Sequence, residues 1–366
     1  PWNIMKYLLV PRYYDTSGND CDLIEKSHKL KPSWNNFPCH SNLSVFFDAH
    51  AFTDWNMRLG LPEKYTQLPG NELWTYIHVI QNAVVTNNGD ILTDDLELAP
   101  HRCRIRRQGT LPRAPNNLTV FDEVFSAHQY WDTAFYHSSL EGMPRFAPYI
   151  KLLNDRSNIK LNIWSKNRLL KLYGITGMKN RMLRNQSFRA KVLYSPAGGP
   201  CGRSPLFTPQ LMSLYARRDL DNNPQTRNII ILIRRSRSRG FKYHNEIAAM
   251  IEKEATAHGL ELFVFRDDPL PDFDFTRRMF NRAIIIVAPI GAGESNMVYS
   301  QPGTVLIEGQ CYIEGKINTC YRVAAGNLGM RYYALLTKKG CSRITAEDVR
   351  QPLKFFLEHV DKLRKI

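Results

Sequence analysis

No run of roughly 18 consecutive apolar residues occurs in the 366-residue chain, so no segment of it reads as a membrane-spanning helix. The seven cysteines (Cys21, Cys39, Cys103, Cys201, Cys311, Cys320 and Cys341) include no CxxC pair, which argues against a zinc ribbon and a thioredoxin-like redox motif. There is no HExxH, no G-x-S-x-G elbow, no Cys/His cluster at zinc spacing, no internal repeat and no low-complexity segment. Acidic residues are in deficit, 34 Asp and Glu against 49 Lys and Arg, for a formal net charge of +15. Such a charge attracts anions, whether nucleic acid, acidic lipid head groups or phosphorylated small molecules, and does not choose among them. A nucleic-acid role is disfavoured because the aromatic-basic pattern of an RNA-binding sheet and any recognised binding module are missing.

The apolar content is ordinary for a folded protein. With 43% hydrophobic residues and aromatics throughout, the chain is neither disordered nor fibrous, and its length allows two domains of usual size. Three N-glycosylation triplets (Asn42-Leu43-Ser44, Asn117-Leu118-Thr119, Asn185-Gln186-Ser187), with cysteines scattered as structural disulfides would be, lean toward an oxidising lumen. The chain begins at Pro1 without an initiator Met, and a targeting segment is expected ahead of it.

Along the chain, Tyr76–Ile80 and Ala83–Val85 read as strands, and Asn87-Asn88-Gly89-Asp90 as a hairpin turn that needs positive φ. From Phe121 the periodicity becomes helical; then Ile159–Ile163 reads as a strand, Ser165–Tyr173 as a helix stopped by Gly174, and Arg189–Tyr194 as a strand. The Gly/Pro cluster Pro196–Pro200 and the polar run Asp219–Arg227 mark a linker between domains. Beyond it the alternation is regular: strand Asn228–Ile233, helix His244–His258, strand Glu261–Phe265, helix Asp274–Asn281, strand Ala283–Ala288, a Gly-rich turn, a short helix, and strand Thr304–Ile307. This predicts parallel βαβ units in a doubly wound domain. Thr345–Lys365 reads as one long helix with Thr345 as N-cap.

Three constellations could carry chemistry. In Ala283–Asn296 a buried strand runs into a turn, Gly291-Ala292-Gly293, that opens a helix; free amides and the macrodipole there suit phosphate, although a turn that needs small residues for packing would look the same. It lacks the third glycine of a Rossmann fingerprint and the Gly-Lys-Ser/Thr of a Walker loop. Arg234-Arg235-Ser236-Arg237-Ser238-Arg239 follows the first strand of the same domain, at the strand end where a doubly wound sheet binds ligands, so its arginines could clamp a diphosphate or simply form a solvated basic loop. His137 and Glu141 lie four apart on a helix that Pro144 interrupts, which puts an imidazole and a carboxylate on one face, either for work on one hydroxyl or as a surface hydrogen bond. Asp20-Cys21-Asp22 and Asp272-Phe273-Asp274 match the Asp-x-Asp pattern of metal-dependent glycosyltransferases but follow no buried strand, and are read as loop acids.

In their order these motifs resemble glycosyltransferase family 61, the inverting family that groups plant xylan xylosyl- and arabinosyltransferases with animal secretory-pathway O-linked GlcNAc transferases. The likeness runs from Asn82–Val85 to Glu308. It rests on His137-x-x-x-Glu141-x-x-Pro144-Arg145, Leu172–Ile175, Tyr194-Ser195-Pro196, Arg235-x-x-x-Arg239 with Asn245-Glu246, Val287-x-x-x-Gly291-Ala292-Gly293-x-x-Asn296, Pro302-Gly303 and Ile307-Glu308. The family commonly has His where this chain has Ile290, and the spacing from Arg239 to Asn245 is longer by about two residues; a catalytically inactive relative that binds glycans or proteins is therefore the second reading.

The resemblance implies an α/β protein of GT-B type, two Rossmann-like domains facing a cleft, with a C-terminal helix crossing back. The corresponding boundaries are 1–205 for the acceptor-side domain, 206–227 for the linker, 228–344 for the nucleotide-sugar domain and 345–366 for the helix. It further implies transfer of a sugar from a UDP-sugar donor to a glycan or glycoprotein, by single displacement with inversion, and with neither metal nor cofactor. Glu141 is the expected general base with His137 beside it, and Arg235, Arg239, Gly291, Ala292, Gly293 and Asn296 are the expected diphosphate-binding residues. The expected setting is the lumen of the Golgi or endoplasmic reticulum, reached through an N-terminal membrane anchor outside this chain.

Overall fold

The computed structural model describes residues 12–13, 40–42, 74–92, 97–98, 117–163, 168–183, 186–196, 207–310, 318, 320–336 and 343–364. Asp20-Cys21-Asp22, the Pro196–Pro200 cluster after its first residue, and every cysteine but Cys320 lie outside them; Cys320 is buried. The chain divides into two compact units between Met212 and Ser213. That point falls inside the 206–227 segment expected as linker, and there Phe207–Arg217 is helical.

The N-terminal unit holds a mixed sheet. Its strands are β1 (Arg12–Tyr13), β2 (His40–Asn42), β3 (Trp74–Val85), β4 (Ile91–Leu92), β5 (Glu97–Leu98), β6 (Thr119–Ser126), β7 (Lys160–Asn162) and β8 (Phe188–Pro196), in the order β1-β2-β3-β8-β6-β7 with β4 and β5 branching from β3. Only β8, β6 and β7 are mutually parallel, while β3 runs antiparallel to β8. The two expected early strands are one, and the hairpin forms as expected: Val85 pairs with Ile91, and Gly89 supplies the positive φ of 84°.

The helix expected from Phe121 is a strand. Spacing of Phe121, Val124 and Phe125 fits a helical face, but Thr, Val and Phe suit a pleated surface, and parallel pairing on both edges with β7 and β8 decides the outcome. Val124 and Phe125 are fully buried, and Val124 joins Ile80, Val85, Phe188 and Leu193 in this unit's core.

The C-terminal unit is built as the alternation predicts. Strands β9 (Ile229–Arg234), β10 (Glu261–Arg266), β11 (Ala283–Pro289), β12 (Val305–Gln310) and β13 (Arg331–Leu336) form an all-parallel sheet in the order β10-β9-β11-β12-β13. All seven β11 residues are buried, as a central strand covered on both faces requires. Asp272 caps the helix Phe273–Asn281 by accepting from the Phe275 amide, and Asp274 pairs with Arg277, so this Asp-x-Asp sequence shapes a helix start.

Thr345 caps its helix as expected, exchanging hydrogen bonds with Asp348. The segment is two helices, Ala346–Leu357 and Val360–Arg364, parted at Glu358–His359. Val349, Leu353, Phe356, Leu357 and Leu363 lie in the core of their own unit's sheet, because this apolar stripe needs a sheet face to cover it. Arg227, fully buried at the entry to β9, ties the last helix down by donating to the carbonyls of Ala283, Pro302 and Leu363 and to Thr304 Oγ1. Burial, with Arg217 and Arg364 nearby, lowers its pKa to about 10.

Candidate active site

In the N-terminal unit the site grows from the carboxyl ends of the parallel strands. As the chain leaves β6, the amides of Ala127 and His128 both donate to Asn162 O at the end of β7, at 3.1 Å each. Buried Arg145 donates to Ala127 O at 3.1 Å and to Pro196 O, so its guanidinium is spent on joining the ends of β6 and β8. His128 bridges buried Asp132 (3.0 Å) and Asn87 O (3.0 Å). Burial lowers its pKa, but the Asp132 hydrogen bond and charge outweigh that and raise it overall.

This braced loop delivers residues His137–Gly142 as a π-helical turn, a rare geometry that concentrates at functional sites. His137 Nδ1 meets Glu141 Oε2 at 2.7 Å, and Gln129 Nε2 donates to the same oxygen at 3.2 Å and to His137 O at 3.2 Å. The expected pair is therefore formed. The His137 side chain is 24% exposed and that of Glu141 only 2%, which puts the imidazole on the outer side and the carboxylate beneath it. Gln129, which the sequence reading missed, reaches them across a loop and left no spacing signal.

In the C-terminal unit, numbering the sheet from its own first strand gives the order 2-1-3-4-5. Its topological switch point lies between β9 and β11, where the crevice for a ligand opens in such sheets. The arginine loop leaves β9 and the glycine turn leaves β11, so the two segments sit side by side there. Arg235 Nε donates to Ser238 O (2.8 Å), and its Nη1 donates to Ile290 O (3.3 Å). A Cβ on Gly291 would lie 1.2 Å from Arg235 Nη1, so glycine is required for this guanidinium to lie against the turn. Arg239 is exposed and holds a φ of 60°. Burial and the charge of Arg239 lower the pKa of Arg235. An open cleft of about 420 Å³, lined by Ser236, Arg237, Asp267, Asp268, Pro269 and Leu270, adjoins the loop.

The other expected phosphate residues divide. Gly293 packs on Ile233 and Phe265, whose atoms would stand 3.1 and 3.6 Å from a Cβ there, so its smallness serves the core. Asn296 Nδ2 donates to Gly293 O at 2.9 Å and shapes the turn. The Gly291 amide donates to Glu294 Oε2 at 2.7 Å, and the Glu294 amide donates back to Gly291 O at 3.0 Å, closing the first turn. The Ile290 side chain, standing where His was expected, is buried.

Beneath this turn lies a feature absent from the sequence reading, a cluster of buried acids and phenols. Glu308 Oε2 accepts from Tyr332 Oη and Gln310 Nε2, each at 2.5 Å. Both Glu294 and Glu308 are about 1% exposed or less. Burial raises the pKa of Glu308 to about 8, and burial with the neighbouring Glu308 charge raises that of Glu294.

Residues 135–307 match the profile of the family described as Glycosyltransferase 61. The matched span opens just before His137, closes in β12, and contains every residue expected at the two sites. No curated protein matches the chain.

Proposed function

Residues 135–307 of the chain belong to glycosyltransferase family 61, and from that premise we propose transfer of a sugar, GlcNAc or a pentose such as xylose, from a UDP-sugar to a hydroxyl of a glycan or glycoprotein. The transfer inverts the anomeric carbon and uses neither metal nor cofactor. Family 61 is typically one of the secretory pathway, and a type II membrane anchor outside this chain belongs to the same proposal. No helix among the described residues is long and apolar enough to cross a membrane.

The observation that carries the donor assignment is the meeting of the Arg235–Arg239 loop with the Gly291 turn at the switch point of a parallel sheet. The departing UDP gains negative charge as the bond from its β-phosphate oxygen to the anomeric carbon breaks. Arginines and helix-start amides stabilise that charge where other enzymes use a metal ion.

The geometry supports a division of labour that differs from the sequence expectation. Glu141 is too deeply buried to meet a bulky acceptor, whereas His137 is partly exposed and holds its Nδ1 against Glu141. In this proposal His137 Nε2 takes the acceptor hydroxyl proton while the hydroxyl oxygen attacks the anomeric carbon from the face opposite UDP. Glu141, held by Gln129, fixes the imidazole tautomer and balances the imidazolium that forms, the logic of an acid-oriented histidine base.

Thermal unfolding with UDP, UMP, ADP or buffer, all in EDTA, tests the donor site. A ligand at about 100 times its Kd adds about 2.7 kcal/mol to apparent stability, so UDP should raise the midpoint by several degrees and ADP much less. No UDP-selective shift would overturn the donor reading and favour a glycan-binding relative that transfers nothing.

A further inference from the structure

Beside the His137–Glu141 pair stands an aromatic ring that the mechanism does not use. Trp131 is 51% exposed and holds a φ of 70°. It is the third residue of a turn closed by the Asp132 amide on Gln129 O at 3.1 Å, a place where Gly or Asn normally supplies positive φ. A bulky residue in that conformation is strained, and such strain persists where the surroundings enforce it, commonly at ligand clamps. The surroundings here are the braced loop itself: Ala134 N donates to Trp131 O at 2.8 Å, and Tyr130 abuts the indole edge-on at 4.8 Å. The indole lies 26° from parallel with the His137 imidazole, ring centres 6.4 Å apart.

A large ring left half in solvent, at a conformational cost, beside the reacting pair is not accounted for by core packing. Its chemistry fits a sugar. One face of a pyranose presents weakly positive C–H bonds, which pack on the negative face of an indole while the hydroxyls at the ring edge stay free. We propose that Trp131 is the platform on which a pyranose ring of the acceptor stacks, so that one of its hydroxyls is presented to His137. The acceptor is then a saccharide rather than a bare Ser or Thr side chain, and Trp131 determines acceptor specificity. This rests on the assignment of His137 and Glu141 as the reacting pair.

Trp131→Gly on the full chain is the decisive variant, because glycine accepts the backbone without strain while the ring is lost. Saturation-transfer NMR with xylobiose, chitobiose and a Thr-containing peptide reads acceptor binding; thermal midpoints with UDP and with UDP-GlcNAc or UDP-xylose read the donor side. The expected result is transfer to the ring protons of at least one disaccharide in the parent protein, weakened at least fivefold in Trp131→Gly and partly retained in Trp131→Phe. The Trp131→Gly midpoint should be unchanged or raised, and its stabilisation by UDP unchanged. The proposal is overturned if neither disaccharide binds the parent, if binding survives Trp131→Gly, or if that variant has a lowered midpoint, which would make the ring structural. It is also overturned if the variant loses the extra stabilisation by UDP-sugar over UDP, which would assign the ring to the donor sugar. Absence of UDP stabilisation in the parent would sink the donor site instead, and the saccharide arms would still decide Trp131.

Discussion

The two units treat a buried carboxylate in opposite ways. In the N-terminal unit Glu141 is held by an imidazole and an amide, both fixed by a π-helical turn and a braced loop. In the C-terminal unit Glu294 and Glu308 sink beneath the glycine turn with amide and phenol donors and, among the described residues, no ion pair to either, so burial pushes their protonation upward. The first arrangement aims one carboxylate oxygen at the imidazole proposed to take the acceptor's proton. The second removes negative charge from under the place where an anion is proposed to bind, which a phosphate site requires. Yet each unit spends backbone strain at its site on one large residue at positive φ, Trp131 in one and Arg239 in the other.

The largest expected effect breaks the first arrangement. Glu141→Gln should lower kcat by about 10³-fold or more, because the wrong imidazole tautomer is stabilised, while UDP stabilisation stays as in the parent. His137→Ala should lower it similarly and recover activity with added imidazole; rescue of Glu141→Gln but not of His137→Ala would return the base to Glu141. On the other side, Gly291→Ala puts a methyl group where Arg235 lies, and the guanidinium must leave. UDP affinity should fall by roughly 10- to 100-fold, the loss of a charge-assisted contact of about 1.5–3 kcal/mol, as read by titration calorimetry. An unchanged affinity would detach Arg235 from the donor site.

Legibility in the sequence followed the same division. The C-terminal sheet was readable because Ile229–Ile233 and Ala283–Ala288 are continuous apolar runs and because caps such as Thr345 announce their helices. Strand β13 and helix Cys320–Asn327 carried no comparable punctuation and were missed. In the N-terminal unit local periodicity misled at Phe121, where parallel pairing overrode the spacing. Of the sites, whatever is local was visible: the four-residue step from His137 to Glu141, the glycine turn, the arginine run. Gln129, Trp131 and the Glu294–Glu308 cluster depend on loop path and burial, which no single-chain pattern encodes. Glu308 was even part of the family resemblance, without a role, because burial is what gives it one.

A smaller effect tests whether the C-terminal acids are stored uncharged. Glu308→Gln preserves size and the acceptor for Tyr332 and Gln310. Native Glu308 keeps its proton up to about pH 8, whereas the unfolded chain releases it near 4.5, the ordinary value of a glutamate. Across that window the native state binds more protons than the unfolded one, so stability falls as pH rises from 4.5 and stops falling once the native group has ionised. Glu294, shifted the same way, adds to the slope. The Gln variant has no proton to lose at this position. Its stability curve between pH 5 and 8 should be flatter than the parent's, and its advantage should grow toward pH 8 to a few kcal/mol, several degrees in midpoint, from a small difference at pH 5. Parallel curves for parent and variant would mean that Glu308 is ionised in the core, and the reading of these acids as stored uncharged would fail.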